Sequence, residues 1–84
     1  MDRETLLEEL RRVLIDEIGI PSEKITLEAN LRDDLGMDSL DMFELITTLE
    51  DRTNTKFDLD KVEDVRTVKD AIEHVLSLDT QSRR

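Results

Sequence analysis

The sequence predicts an all-α protein, a small four-helix bundle with three main helices and a short third one. Three observations predict it. Apolar residues recur at three- and four-residue steps in three separate segments. No stretch alternates apolar and polar residues over a useful strand length. No segment can hide its own apolar stripe, so the segments must pack on one another. With 84 residues the chain supports one modest core. Residues 1–78 are therefore read as a single domain, and 79–84 (DTQSRR) as a flexible C-terminal tail.

The first helix is expected over residues 3 to 18. Leu7, Leu10, Leu14 and Ile18 form its stripe, widened by Leu6 and Val13. Asp2 is the expected cap, and Glu4 lies in the first turn, where the helix dipole favours negative charge. Gly19 and then Pro21 end the helix. Residues 19 to 37 make a long connection for so small a domain, and such loops are functional or disordered. The recurring Ile20, Ile25, Leu27, Leu31 and Leu35 argue that this one is packed down, with Ser22 as a cap for one short turn.

A second helix is expected over about 39 to 53, capped by Asp38 or Ser39 and ended at Asn54. Met42, Leu45, Ile46 and Leu49 form its buried face; Leu40, Phe43 and Thr47 lie on an adjoining strip that stays partly exposed. A short helix follows over 60 to 64 with Val62. Thr67 caps a last helix over about 68 to 78, whose stripe is Val68, Ala71, Ile72, Val75 and Leu78.

Composition narrows the function. The chain carries 22 acidic and 12 basic residues, a net charge of -10, which repels nucleic acid and anionic lipid and favours basic partner surfaces. The absence of cysteine rules out disulfides and thiolate metal sites. No apolar run approaches spanning length and the start MDRETLLEEL is unlike a secretory signal, so a cytoplasmic location without membrane insertion is expected.

Chemistry concentrates in DDLGMDSL, residues 33 to 40. As a hydrolytic nucleophile Ser39 would need a base held by a third group and an apolar cleft. The one histidine, His74, is read as a surface residue of the last helix, and the carboxylates around Ser39 would oppose an oxyanion. Asp33, Asp34, Asp38 and Asp41 lack the spacing and terminal glutamate of a calcium loop, so no dedicated metal site is expected. Ser39 as a helix cap is physically sound but leaves the acidity unexplained. From residue 33 to 51 there are seven acidic residues and no lysine or arginine, a one-sided surface suited to a basic partner. A phosphate ester on Ser39 is also compatible with a helix N-terminus.

The stretch LRDDLGMDSLDMFELITTLE, residues 31 to 50, resembles the acyl carrier protein family. The family's D-L-G-x-D-S-L motif reads here Asp34, Leu35, Gly36, Met37, Asp38, Ser39, Leu40, and the resemblance extends to TVKDAIEHV at residues 67 to 75. It implies that Ser39 receives 4'-phosphopantetheine from coenzyme A through a magnesium-dependent phosphopantetheinyl transferase. The arm's thiol would then carry an acyl group for fatty-acid or related biosynthesis on a monomeric, non-catalytic carrier. It further implies partner docking of acyl-processing or acyl-activating enzymes at Asp38, Leu40, Asp41, Phe43, Glu44 and Thr47, with Phe57, Val62 and Glu63 from the later segment. Met42, Leu45, Ile46, Leu49, Val68, Ala71, Ile72 and Val75 would line an interior that opens for the acyl chain. The stretch EDRTNTKFDLDKVEDV departs from the family pattern: Arg52 and Lys56 dilute its acidity, Thr53 stands at the usual phenylalanine, and Phe57-Asp58 replaces isoleucine-proline. A polyketide or aminoacyl/peptidyl carrier, or an unmodified acidic interaction subunit, are the alternatives.

Overall fold

The structure is a computed structural model that describes residues 2–57 and 59–82. Helix α1, Arg3–Arg12, begins where expected. Asp2 accepts the Thr5 N–H at 2.8 Å, and hydrogen bonding from the Thr5 side chain, then its backbone, holds the Asp2 carboxyl below its ordinary pKa. The helical path continues to Ile18, but Val13–Ile18 is wound as a π-helix. Periodicity could not show this, because a π segment keeps the same residues helical while widening the turn. Its end is the expected one. Gly19 adopts φ 91°, and the Gly19 and Ile20 N–H groups both bond to the Leu14 carbonyl.

Helix α2, Ser39–Thr53, matches its predicted bounds, and Asn54 closes it in the left-handed region at φ 56°. The short helix expected over 60 to 64 is present as a 3-10 segment, Leu59–Asp64, and the preceding Asp58 lies outside the described residues. Helix α3 runs Val68–Ser82, four residues past the expected end at 78. Residues 79–82 thus continue the helix rather than begin an irregular tail, because neither glycine nor proline stands there to stop it. The tail's last residues, Arg83 and Arg84, lie outside the described residues. At the start of α3, Thr67 Oγ1 accepts the Asp70 N–H at 3.1 Å while Asp70 accepts the Thr67 N–H at 3.2 Å, a reciprocal cap.

The core of the described residues is one mainly aliphatic cluster. Leu6, Leu10, Val13 and Leu14 from the first helical stretch meet Leu45 and Leu49 of α2 and Val68, Ile72 and Val75 of α3, all essentially buried. Among the described residues, ion pairs bridge helices at the surface from Arg52 to Glu9 at 3.0 Å and from Arg3 to Glu73.

The long connection is packed, as its anchors predict. Ile20, Ile25, Leu31 and Leu35 are buried, Leu27 is half-buried, and Ala29 and Met37 are buried as well. A polar backbone that crosses a core must find partners. Here the Leu31 N–H bonds to the Arg66 carbonyl at 2.8 Å, Val68 N–H to Ala29 at 3.1 Å and Lys69 N–H to Leu27 at 3.0 Å, around an isolated antiparallel bridge between Asn30 and Thr67. Ser22 does not cap the short turn. Pro21 precedes it, and Ser22–Lys24 forms a 3-10 turn without a side-chain cap.

Candidate functional site

Each residue of DLGMDS has a local mechanical role, and together they deliver Ser39 to the entrance of α2. Asn30 starts the turn: its Oδ1 accepts the N–H groups of Arg32 at 3.0 Å and Asp33 at 2.8 Å. Asp34 reaches back to accept the Asn30 N–H at 2.7 Å. Leu35 and Met37 point into the core, 7% and 4% exposed, on either side of Gly36. Gly36 sits at φ 74°, where an L side chain is strained even though a Cβ there would meet nothing within 4 Å. The chain therefore turns sharply between two anchors and emerges at Asp38.

Asp38, not Ser39, is the cap. Its Oδ1 accepts the Asp41 N–H at 2.9 Å, and Asp41 Oδ2 accepts the Asp38 N–H at 3.3 Å, a capping box built from two aspartates. The first intrahelical bond runs from Met42 N–H to the Asp38 carbonyl at 2.9 Å. Ser39 is the first residue of the helix and is solvent-exposed. Its hydroxyl is thereby relieved of the capping duty, and the amides of Ser39 and Leu40 precede the first helical bond, where negative charge is favoured. Replacing Asp38 by alanine is expected to cost about 1 kcal/mol, lowering the thermal midpoint by roughly 4–8 °C in a circular-dichroism melt.

Beyond Ser39 the surface of α2 carries two large exposed apolar side chains, Leu40 at 78% and Phe43 at 61%. Asp38, Glu44 and Thr47 are exposed beside them and Asp41 is half-buried. The acidic surface is partly structural. Asp34, Asp38, Asp41 and Glu50 each hold a backbone N–H, Glu50 that of Phe57 at 2.6 Å. Glu63 is exposed and Val62 half-buried against the core.

Phe57 requires a correction: it is 7% exposed and belongs to the core, not to a docking face. With Thr53 at the end of the buried stripe of α2, the ring enters from the following loop. It packs against His74 with ring centroids 4.8 Å apart and planes at 55°. That contact also corrects the reading of His74 as a surface residue. It is half-buried, with Nε2 shielded from solvent.

The residues expected to line an acyl interior, Met42, Leu45, Ile46, Leu49, Val68, Ala71, Ile72 and Val75, are brought together in the core, none more than 5% exposed. The grooves on the described residues are open surface features bounded by other side chains. One of them, about 520 Å³, is lined by Thr47, Glu50, Asp51, Asn54, Thr55 and Lys56. No helix among the described residues is long and apolar enough to cross a membrane.

Comparison with known proteins converges on one family. A family model described as "Phosphopantetheine attachment site" matches residues 8–75. An acyl carrier protein of Saccharopolyspora erythraea is 45% identical over 78 residues, covering 93% of this chain and 82% of that protein. Among solved structures, an acyl carrier protein from Enterococcus faecalis superposes with a TM-score of 0.77 at 28% identity, covering 93% of this chain and 99% of the other.

Proposed function

Since the chain belongs to the acyl carrier protein family and is a carrier rather than a catalyst, we propose that Ser39 is its point of phosphopantetheine attachment. The observation that carries this reading is the division of labour at the start of α2. Asp38 and Asp41 close the helix end between them, and the adjacent hydroxyl is exposed on a rigidly held first turn. The residues fit the group. An anchored turn fixes the ester oxygen, and the helix entrance suits a phosphate monoanion.

In the attachment step the Ser39 hydroxyl oxygen bonds to the phosphorus that carries the pantetheine half of coenzyme A. The phosphoanhydride bond breaks, adenosine 3',5'-bisphosphate leaves with the bonding pair, and the serine proton passes to the modifying enzyme. No base on this chain is needed, because the phosphopantetheinyl transferase supplies it. Once attached, the arm offers a terminal thiol that holds an acyl chain of fatty-acid biosynthesis as a thioester. The buried stripe of α2 and α3 then shelters the chain when the bundle opens. Burying eight methylenes would gain up to about 6 kcal/mol, less the cost of that opening, a grip that partner enzymes must be able to reverse.

Docking is assigned to the exposed strip of α2. Leu40 and Phe43 supply apolar contact beside Ser39, while Asp38, Asp41 and Glu44 steer a basic surface toward it. Thr47 and, from the later segment, Glu63 and the half-buried Val62 extend this face. Among the described residues, no backbone N–H bonds to the Glu44 carboxylate, so its charge can be reversed without unpicking a cap. Glu44→Lys is expected to slow modification by the transferase roughly tenfold at low ionic strength. The deficit should shrink as salt is added, with the melting temperature unchanged. A salt-independent deficit would point to a packing defect instead.

A further inference from the structure

The buried face of α2 ends on a polar relay. After Met42, Leu45, Ile46 and Leu49, the next buried residue is Thr53, and Thr55 lies buried beside it; each is 8% exposed. Thr53 Oγ1 stands 2.6 Å from the Leu49 carbonyl oxygen, and 2.7 Å from Thr55 Oγ1. A carbonyl has no proton, so Thr53 must donate to Leu49. A hydroxyl has only one proton to give. Thr55 must therefore donate to Thr53, and the relay has a single direction: Thr55 to Thr53 to Leu49. Both protons are spent, and Thr55 Oγ1 at the free end retains acceptor capacity in a residue that is buried yet borders the groove of Thr47, Glu50, Asp51, Asn54 and Lys56.

Resting on the carrier reading above, we infer that Thr53 and Thr55 are specificity-determining residues that favour an acyl chain bearing a hydroxyl group over a plain alkyl or keto chain of the same length. A cargo hydroxyl can donate to Thr55 Oγ1 and join the relay at its end with every existing bond intact. A keto oxygen is only an acceptor, and finds no proton unless Thr55 withdraws its own from Thr53. An alkyl chain makes no polar contact at all. The position is compatible with delivery from Ser39. Thr53 lies fourteen residues along the same helix, about 21 Å at the α-helical rise, within reach of an extended arm carrying an acyl chain. It also directly continues the stripe that shelters that chain.

The test uses the full chain loaded at Ser39 by a phosphopantetheinyl transferase from synthetic acyl-coenzyme A thioesters of one length. These are a saturated chain, a set with a hydroxyl stepped along the chain, and the matching keto chains. Intact mass verifies loading, and the rate of thioester cleavage by hydroxylamine reports shelter. The best-placed hydroxy chain is expected to be cleaved roughly two- to twelvefold more slowly than the saturated one, the range of one net hydrogen bond. Thr55→Val should erase that advantage and Thr55→Ser should keep it. Thr53→Val should shift the preference toward a keto chain, because it frees the Thr55 proton. Equal protection of all three chain types in the unaltered protein would overturn the inference, as would a hydroxyl preference that survives Thr55→Val. Failure to load Ser39 at all would remove the carrier reading and this inference with it. Complete loading without a chain preference would remove this inference alone.

Discussion

A Ser39→Ala variant is expected to gain no mass when incubated with coenzyme A and a broad-specificity phosphopantetheinyl transferase, whereas the unaltered chain gains one phosphopantetheine group. The effect is all-or-none because the variant lacks the oxygen that forms the new phosphorus bond. It should leave the fold intact: Ser39 is exposed, and the helix cap is held by Asp38 and Asp41. Far-ultraviolet circular dichroism and the thermal midpoint should therefore match those of the parent. The discriminating measurement is peptide mass mapping of the parent. An adduct on another residue, or one that persists in the alanine variant, would remove Ser39 from its role. A parent chain that stays unmodified would favour the unmodified interaction subunit.

The second large effect is expected at Leu31, far from any chemistry in function but not in space. Its side chain is fully buried, and its backbone N–H is bonded to Arg66, fixing the loop to the segment that leads into α3. Leu31→Ala should cost about 2–5 kcal/mol through lost burial and the cavity left behind. A chain of this size has a total stability of roughly 4–13 kcal/mol, so that loss is a large share of it. Urea denaturation should show the drop. Native-state hydrogen exchange should show residues 29–38 opening more readily than α1. Modification at Ser39 should slow in parallel, because the turn that presents it has lost an anchor. A cost below about 1 kcal/mol, typical of an exposed position, would mean that this loop is not part of the core.

These two residues mark how differently parts of the molecule were written in the sequence. The three helices were legible because each carries its apolar stripe and its own end signals: Asp2, Gly19, Asp38, Asn54 and Thr67 all act at the helix ends where their chemistry suits them. The turn before α2 was legible in part: Leu35 as an anchor and Asp38 as one of two candidate caps were read from the chain, whereas the left-handed backbone at Gly36 appears only in the fold. The buried Ala29 and Met37 were missed, because a small side chain and a flexible one give little periodic signal in a loop.

What the sequence alone determined was local: which segments are helical, where they end, and that an acidic, hydroxyl-bearing turn precedes α2. Those properties follow from spacing, capping and charge within a few residues of one another. Only the tertiary structure decided which side of the fold certain residues occupy. Phe57 looked like a surface contact and is a core residue against His74. Thr53 stood out in the sequence only as a departure from the family's phenylalanine and Thr55 not at all; their shared burial and the hydrogen bonds that set the direction of their protons belong to the fold. Burial depends on what packs opposite a side chain, and nothing in its immediate neighbours in the chain encodes that.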